Sequence, residues 1–386
     1  MTNPNISRPD FSVVVVSYNG ADLLMLMLSS VKRALVGLSA EVFVVDNNSA
    51  EDVCHQVATQ HPEVHLIAQS GNKGFGTANN IALRLASGRY VVILNPDTIV
   101  PHTFFHQLKE IMSASAGSGA IGVRMVNGNG LYLPESKRGY TTVRTSFFKL
   151  SGLWHLSPRS PILNAYYIGN EAETSVCTAP ILSGACMVFT HELMDRVGMF
   201  DEAYFMYCED NDLSWRMHNA TSGNVYRGDV SLIHFKGQST PRQKHIIDHF
   251  YKSMIYFARK FEYAHHNVFG RALIWTGIKT AHFFALVKCY VLRTLERRAQ
   301  FYRPNHIFLV SNVERHVSNY QTVNASDLSS LEISKSDAVV FDIDADLNVA
   351  IEYMRSHPRE TTYGFFNPDN NNTIVFYNNR CYNINQ

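Results

Sequence analysis

FSVVVVSYNG, residues 11–20, opens with Phe11–Ser17, a run containing four consecutive valines. A β-branched run without polar alternation predicts a strand covered on both faces, as parallel strands are. The polar Ser17-Tyr18-Asn19-Gly20 ends it. Working outward, Ala21–Val36 has helical apolar spacing, Glu41–Asp46 (EVFVVD) reads as a second strand and Glu51–Gln60 as a second helix. Val64–Ala68 reads as a third strand, followed by the glycine-rich GNKGFG at Gly71–Gly76 and a helix over Thr77–Ala86. Tyr90–Leu94 (YVVIL) is a fourth strand, closed by Asn95-Pro96-Asp97. This alternation predicts βαβ units with right-handed crossovers, hence an open α/β sheet over the first ~125 residues. Ligands of such sheets bind at the carboxyl ends of the strands.

The chain has 386 residues, 46% of them hydrophobic and 17% charged, enough for two or three domains and incompatible with wholesale disorder. Lys+Arg 34 against Asp+Glu 33 gives a net charge of +1, which offers no basis for nucleic-acid binding. Six cysteines without a CxxC pair argue against a disulfide scaffold or zinc finger and suggest a reducing compartment. MTNPNISRPDF at the N-terminus has no apolar run, so no signal peptide is expected. Charge is uneven: residues 242–303 carry twelve Lys and Arg against three Asp and Glu.

Residues 127–178, rich in Gly, Pro, Ser and Thr, read as a long insertion. Ile181–Phe189 resumes a strand, Glu209–His218 a helix opening with three acids, and Val225–Tyr226 and Ser231–Phe235 short strands. Ile246–Gln300 reads as helical, with Ala272–Leu292 its most apolar part. Arg271, Lys279, His282, Arg293 and Arg297 fall on an arc of roughly 80°. A helix at a membrane surface, a packed hairpin and a membrane span all remain open, the first favoured. In 305–386, HIFLVS and AVVFDI read as strands, Asn348–Ser356 as a helix, and TTYGFF and TIVFYN as a hairpin-like pair across the turn FNPDNNN. No chemical motif stands out there.

Four polar groups lie at predicted strand or helix ends: Ser17-Tyr18-Asn19, Asp46-Asn47-Asn48, Asn95-Pro96-Asp97 and Glu209-Asp210-Asn211-Asp212. Asp46 suits a ribose hydroxyl or base edge, although a strand-end Asp is as readily a turn former. The Gly71–Gly76 loop is expected to bring backbone amides near a phosphate, with Lys73 adding charge, unless it is an ordinary turn. Asp97 suits a divalent cation, with His234 a further ligand unless it is structural. A carboxylate at 209–212 could deprotonate an alcohol, or simply cap its helix.

Taken in order, VVVVSYNG, VVDNNS, GNKGFGTANNIAL, YVVILNPDT, LSGACMVF, VGMFDEAYFMYCEDNDLSWR and HFKGQST resemble the family-2 glycosyltransferases, in particular their bacterial rhamnosyltransferase-like branch. The resemblance covers about residues 11–240 and implies a GT-A nucleotide-diphospho-sugar transferase fold. Residues 1–126 would be the nucleotide-binding half and 127–240 the acceptor half. A basic helical segment (241–303) and a small C-terminal α/β unit (304–386) would follow. It implies inverting transfer from a nucleotide-sugar, with dTDP-L-rhamnose favoured and a UDP-sugar the alternative. Carried over by position, Ser17, Tyr18, Asn19, Asp46, Asn72, Lys73, Gly74, Asn95 and Asp97 would hold the donor. Asp97 and His234 would hold Mg²⁺ or Mn²⁺, Asn95 replacing the first acid of the family's metal motif. Asp210 would be the base with Glu209 as fallback, and Leu182, Ser183, Gly184 and Ala185 would line the acceptor side. The expected acceptor is a saccharide, polyprenyl-diphosphate-linked in the favoured case, met by a peripheral protein on the cytoplasmic membrane's inner face. A nucleotidyltransferase, a non-catalytic scaffold relative, and homo-oligomerisation or partner docking through the C-terminal region are the competing readings.

Overall fold

The structure, a computed structural model, describes residues 8–115, 117–237, 244–295, 304–313, 315, 317, 319–330, 333–358, 361–377 and 380–384. β1 (Phe11–Ser17) lies between β2 (Ala40–Asp46) and β4 (Tyr90–Leu94), parallel to both and buried throughout, as its valine run requires. α1 (Ala21–Ala34), α2 (Val53–Gln60), β3 (His65–Ala68) and α3 (Phe75–Leu83) complete the crossovers. Then come β5 (Thr98–Ile99), α4 (Phe104–Ala114), β6 (Ile121–Val126), β7 (Lys137–Arg138), α5 (Val143–Leu150), β8 (Val176–Thr178), β9 (Ile181–Leu182), β10 (Cys186–Thr190), α6 (His191–Val197), α7 (Glu209–Asn219) and β11 (Val225–His234).

The main sheet runs β3-β2-β1-β4-β10-β6-β11-β5, with β8 added on β11. This is the mixed α/β, GT-A-type arrangement that the sequence implied. β4 follows β3 in the chain but pairs on the far side of β1, so strand order reverses there and opens a crevice at the carboxyl ends. β10 runs antiparallel to β4 and β6, so it begins at the edge where β1, β2, β4 and β11 end. β6 also pairs with β11, so the residues before and after 126 share one sheet.

Three local differences from the sequence reading bear on the site. Ile181–Phe189 is not one strand: β9 joins β7 in a separate small sheet, β10 joins the main sheet, and Ser183–Ala185 turns between them. Val225–His234 is a single strand, irregular between Arg227 and Ser231. The 127–178 insertion holds β7, α5 and β8, and α5 opens with a capping box between Thr142 and Thr145.

α8 (Lys244–Phe257) and α9 (Val268–Leu295) are joined through a π turn and a 3₁₀ turn. They pack together through His282, whose Nε2 lies 2.8 Å from Asp248 and whose ring stacks on Tyr251. Among the described residues no helix is long and apolar enough to cross a membrane. Phe269, Leu273, Phe283, Phe284 and Tyr290 of α9 are exposed. Arg297 of the predicted arc, and residues 296–300 of the predicted helix, lie outside the described residues.

The C-terminal unit comprises β12 (Ile307–Val310), β13 (Gln321–Val323), β14 (Ala338–Asp342), α10 (Leu347–Ser356), β15 (Thr362–Asn367), β16 (Asn372–Tyr377) and β17 (Arg380–Asn383). Its sheet runs β13-β12-β14-β15-β16-β17, and the β15–β16 hairpin falls where the sequence placed it. The unit shares one apolar core with the main sheet: Leu23, Leu26, Ile99, Val126, Ile233 and Phe235 pack with Val339, Phe341, Phe365 and Phe376. The turn at Asn367–Asp369 also docks. Asn367 donates to Ser29 Oγ at 3.1 Å, and Arg33 donates to both Asp369 oxygens at 2.8 Å while pairing with Asp344.

Candidate active site

The carboxyl edge of the sheet gathers most of the residues singled out from the sequence. β5 pairs antiparallel with the end of β11, setting His234 opposite Thr98, and Phe235 N–H donates to Asp97 O at 2.9 Å. This ladder brings His234 Nε2 to 3.2 Å from Asp97 Oδ1, with both side chains almost fully buried. The Asn95 amide nitrogen lies 3.5 Å from the same Nε2. Asn95 N–H donates to Ala185 O at 3.0 Å, and in the same turn Gly184 N–H donates to Asp210 Oδ2 at 3.2 Å. One short turn thus links the Asp97–His234 pair to Asp210.

The turn packs tightly on Asp210: a Cβ at 184 would lie 3.1 Å from that of Asp210, so a side chain there would have to push the two apart by a few tenths of an ångström. Leu182, Ala185 and the glycine backbone are buried, and Ser183 is half-buried at the same edge. On the other side Asp210 is paired with Arg138 at 2.6 Å. Sequence reasoning misses Arg138, since an adjacent Lys137-Arg138 pair in a Gly/Pro-rich insertion carries no spacing signal.

α7 begins from an unusual backbone. Tyr207 and Cys208 both have positive φ, 72° and 66°, conformations that non-glycine residues rarely adopt and that cluster at functional sites. Its first turn carries Glu209, Asp210 and Asp212, and its last turn Arg216 and His218, matching the helix dipole. Asp212 is fully buried but answered by Arg216 at 2.6 Å, Lys260 at 2.6 Å and the Tyr204 hydroxyl at 3.3 Å. Glu209 forms no ion pair among the described residues. Burial, reinforced by the charge of Asp210, pushes its carboxyl up to about 8.

The donor-side residues divide. Tyr18 is exposed, and Asn19, with φ 62°, joins the β1 and β2 loops: its N–H donates to Ser49 Oγ at 2.8 Å and its Oδ1 accepts from Ala50 N–H at 2.9 Å. Asp46 Oδ1 accepts from the Ser49 N–H at 3.1 Å and hydroxyl at 2.5 Å, so half of that carboxylate serves its own turn. Three amides of the Gly71–Gly76 loop, expected near a phosphate, are engaged within the protein. Lys73 N–H donates to Asn47 Oδ1, Gly74 N–H to Asn72 Oδ1 and Phe75 N–H to Phe205 O. Asn72 itself accepts from Asn47 Nδ2 at 3.0 Å, and the loop is a clasp between β2 and the approach to α7. The Lys73 side chain is exposed.

Among the described residues, Ser17 Oγ, Asn95 Oδ1, His234 Nδ1 and Glu209 Oε2 are buried without a hydrogen-bond partner. Buried polar groups are normally satisfied, so orphans at this sheet edge make it a candidate ligand site, although further orphans, such as those of His61, Tyr132 and His191, lie elsewhere. No three His, Cys, Asp or Glu side chains among the described residues cluster as a metal site. Asp97 and His234 nevertheless form a pair of the chemistry that Mg²⁺- or Mn²⁺-like ions accept, beside the orphaned Asn95 oxygen. A cavity of about 400 Å³ opens at the opposite edge, among Arg8, Arg89, Thr190 and Arg196, away from all these groups.

With that geometry in place, comparison with known proteins becomes informative. Residues 12–196 match the profile of glycosyl transferase family 2. This segment is similar to that family. The match begins in β1 and ends in α6, so it contains Asp46, Asp97 and the Ser183–Ala185 turn but stops short of α7 and His234. Among curated proteins the chain is similar to the N-acetylglucosaminyl-diphospho-decaprenol L-rhamnosyltransferase of Mycobacterium tuberculosis. The two are 27% identical over 311 residues, covering 76% of this chain and 98% of that protein. It is also similar to Rhamnosyltransferase WbbL of Escherichia coli, with 26% identity covering 58% of this chain and 82% of the relative. Among solved structures, the mannosyltransferase PcManGT from Pyrobaculum calidifontis in complex with GDP-Man and Mn²⁺ aligns at a TM-score of 0.45 and 19% identity, over 76% of this chain and 77% of that one.

Proposed function

We propose that this family-2 glycosyltransferase transfers a sugar, with inversion, from a nucleotide-sugar to a hydroxyl of a cell-surface saccharide. The observation that carries this is the single turn, Ser183–Ala185, whose backbone is bonded to Asn95 on one side and to Asp210 on the other. It puts a candidate diphosphate seat and a candidate base within one crevice. The acceptor hydroxyl passes its proton to Asp210 while its oxygen bonds to the anomeric carbon, and the bond from that carbon to the diphosphate oxygen breaks. Ser17, Tyr18, Asn19 and Asp46 line the nucleoside end, and Asn95, Asp97 and Lys73 the diphosphate end. Leu182, Ser183, Gly184 and Ala185 face the acceptor. A divalent cation held by Asp97 and His234 supplies charge neutralisation for the departing diphosphate. Two protein ligands suffice for Mg²⁺ or Mn²⁺ when phosphate oxygens and water complete the shell.

L-rhamnose from dTDP-rhamnose is the favoured donor, supported by the two rhamnosyltransferase relatives, with a UDP-sugar next. The name of the mycobacterial relative supports a polyprenyl-diphosphate-linked acceptor. The exposed apolar residues of α9, within a segment rich in Lys and Arg, support work at an anionic membrane surface on its cytoplasmic face, each basic residue near the lipid adding about 1 kcal/mol. The protein should pellet with anionic vesicles at low salt and be released at high salt; no pelleting at low salt would remove the membrane from the scheme.

The decisive experiment is a panel of nucleotide-sugars assayed by nucleoside-diphosphate release, with and without Mn²⁺ or Mg²⁺. One donor should stand above the rest and fall silent with chelator. Asp210→Asn should lower turnover by about 10²–10⁴-fold while leaving donor binding intact. Wild-type turnover in that variant would remove Asp210 as the base, and inactivity with every donor would remove the enzymatic reading.

A further inference from the structure

Arg138 is buried, and its guanidinium makes three well-placed contacts at the start of α7. Nη2 donates to Asp210 Oδ2 at 2.6 Å and to Leu182 O at 2.7 Å, while Nη1 donates to Asn211 Oδ1 at 2.8 Å. Asn211 in turn donates to Thr141 Oγ1 at 3.2 Å, so residues 138–141 of the insertion clamp the helix start. Arg138 is itself fixed by the pairing of β7 with β9, where it stands opposite Ile181.

The two Asp210 oxygens are unequally loaded. Oδ2 takes donors from Arg138 and Gly184, whereas Oδ1 takes the N–H of Asn211 at 2.8 Å. The carboxylate plane is thereby locked, with Oδ1 left the better able to accept another proton. The charged and titratable groups around it among the described residues include Arg138 on β7, Tyr166 and Tyr167 beside Arg138, Lys149 of α5 at 4.0 Å from the Tyr166 ring, and Cys208 and Glu209 at the head of α7. Two adjacent acids in a buried setting normally share a proton, so that only one is charged. A guanidinium does not surrender its proton, so Arg138 stays a fixed cation and fork of donors beside Asp210.

We propose that Arg138 is a positioning residue for proton transfer: its guanidinium fixes the plane of the Asp210 carboxylate and aims Oδ1 at the acceptor hydroxyl. This rests on the reading of Asp210 as the base. Glu209, its carboxyl pushed up to about 8 by burial and by the neighbouring Asp210, has no such contact with Arg138. Lysine would supply the charge at this position, but only the planar fork of arginine reaches Asp210, Asn211 and Leu182 together.

The test is the pH dependence of kcat at saturating donor and acceptor in the purified full-length enzyme. Arg138→Gln should lower kcat by about 10²-fold or more at pH 7. It should also move the acidic limb upward by about one pH unit or more, with the donor KM unchanged. Arg138→Lys should return the limb to the wild-type position with kcat still below wild type. A loss in Arg138→Gln that is equal at every pH, leaving the limb where it was, overturns the proposal. Should Arg138→Gln fail to fold, as judged by its melting transition, Arg138→Lys decides alone. Reduced kcat with the limb in place supports the proposal, and undiminished kcat overturns it. If Asp210→Asn keeps wild-type turnover, the base assignment has failed; if it is inactive while Arg138→Gln leaves the limb unmoved, only the role given to Arg138 has failed.

Discussion

Glu209, Asp210 and Asp212 share one helical turn yet meet three different surroundings. Asp212 is neutralised by Arg216 and Lys260 and Asp210 by Arg138, whereas Glu209 forms no ion pair among the described residues. The sequence shows three acids at a helix start but not which is answered, because the answering cations come from residues 138, 216 and 260. The raised carboxyl of Glu209 has a thermodynamic sign. An unfolded chain releases that proton near the ordinary value of 4.5, while the folded protein keeps it until about 8. Between these values the folded state binds more protons, so Glu209 makes the fold progressively less stable as pH rises through the window. Glu209→Gln should therefore melt above wild type at pH 8, by roughly 2–4 °C, and close to it at pH 4.5, as read by calorimetry. An equal difference at both values would mean that Glu209 is not protonated in the fold. Asp97 and His234 are legible as strand-end polar residues; their 3.2 Å contact depends on the β5–β11 ladder, which no local pattern announces.

At the scale of elements, the parallel strands are legible because unbroken runs such as VVVV admit few alternatives to burial on both faces. The break at Ser183–Ala185 is hidden inside an apolar run, ILSGACMVF, that reads as continuous until β7 claims its first two residues. The glycine-rich loop is visible in the sequence, but not that the amides of Lys73, Gly74 and Phe75 turn inward to Asn47, Asn72 and Phe205. Gly74 suits this clasp with φ +82°, and a Cβ there would lie 2.1 Å from Phe205 O. Gly74→Ala should accordingly push back the 201–208 approach to α7. The expected result is a loss of about 1–3 kcal/mol in denaturant unfolding, together with reduced turnover. Wild-type stability and rate would show that the clasp tolerates displacement.

For the whole molecule, the joint between the main sheet and the C-terminal sheet matters most. Strands β12, β14, β15 and β16 are readable one by one, but their apolar residues look sufficient for a separate core, and nothing local signals that the core is shared. Phe235 is 1% exposed and makes ring contacts with Phe365 at 5.7 Å and Phe376 at 5.9 Å, while its N–H holds Asp97 O. Phe235→Ala should destabilise the protein by about 3–5 kcal/mol. It should also weaken cation-dependent donor binding, measured by titration calorimetry, because the same residue seats Asp97 beside His234. Destabilisation with unchanged donor binding would confine Phe235 to a packing role. The shared core also has a consequence for biosynthesis. A ribosome adding about 5–20 residues per second finishes Phe235 several seconds before Phe376 is made. Through that interval Leu23, Leu26, Ile99 and Ile233 have no cover, so the nascent chain presents a greasy face just when its catalytic sheet has become able to form, and a holdase would find its target there.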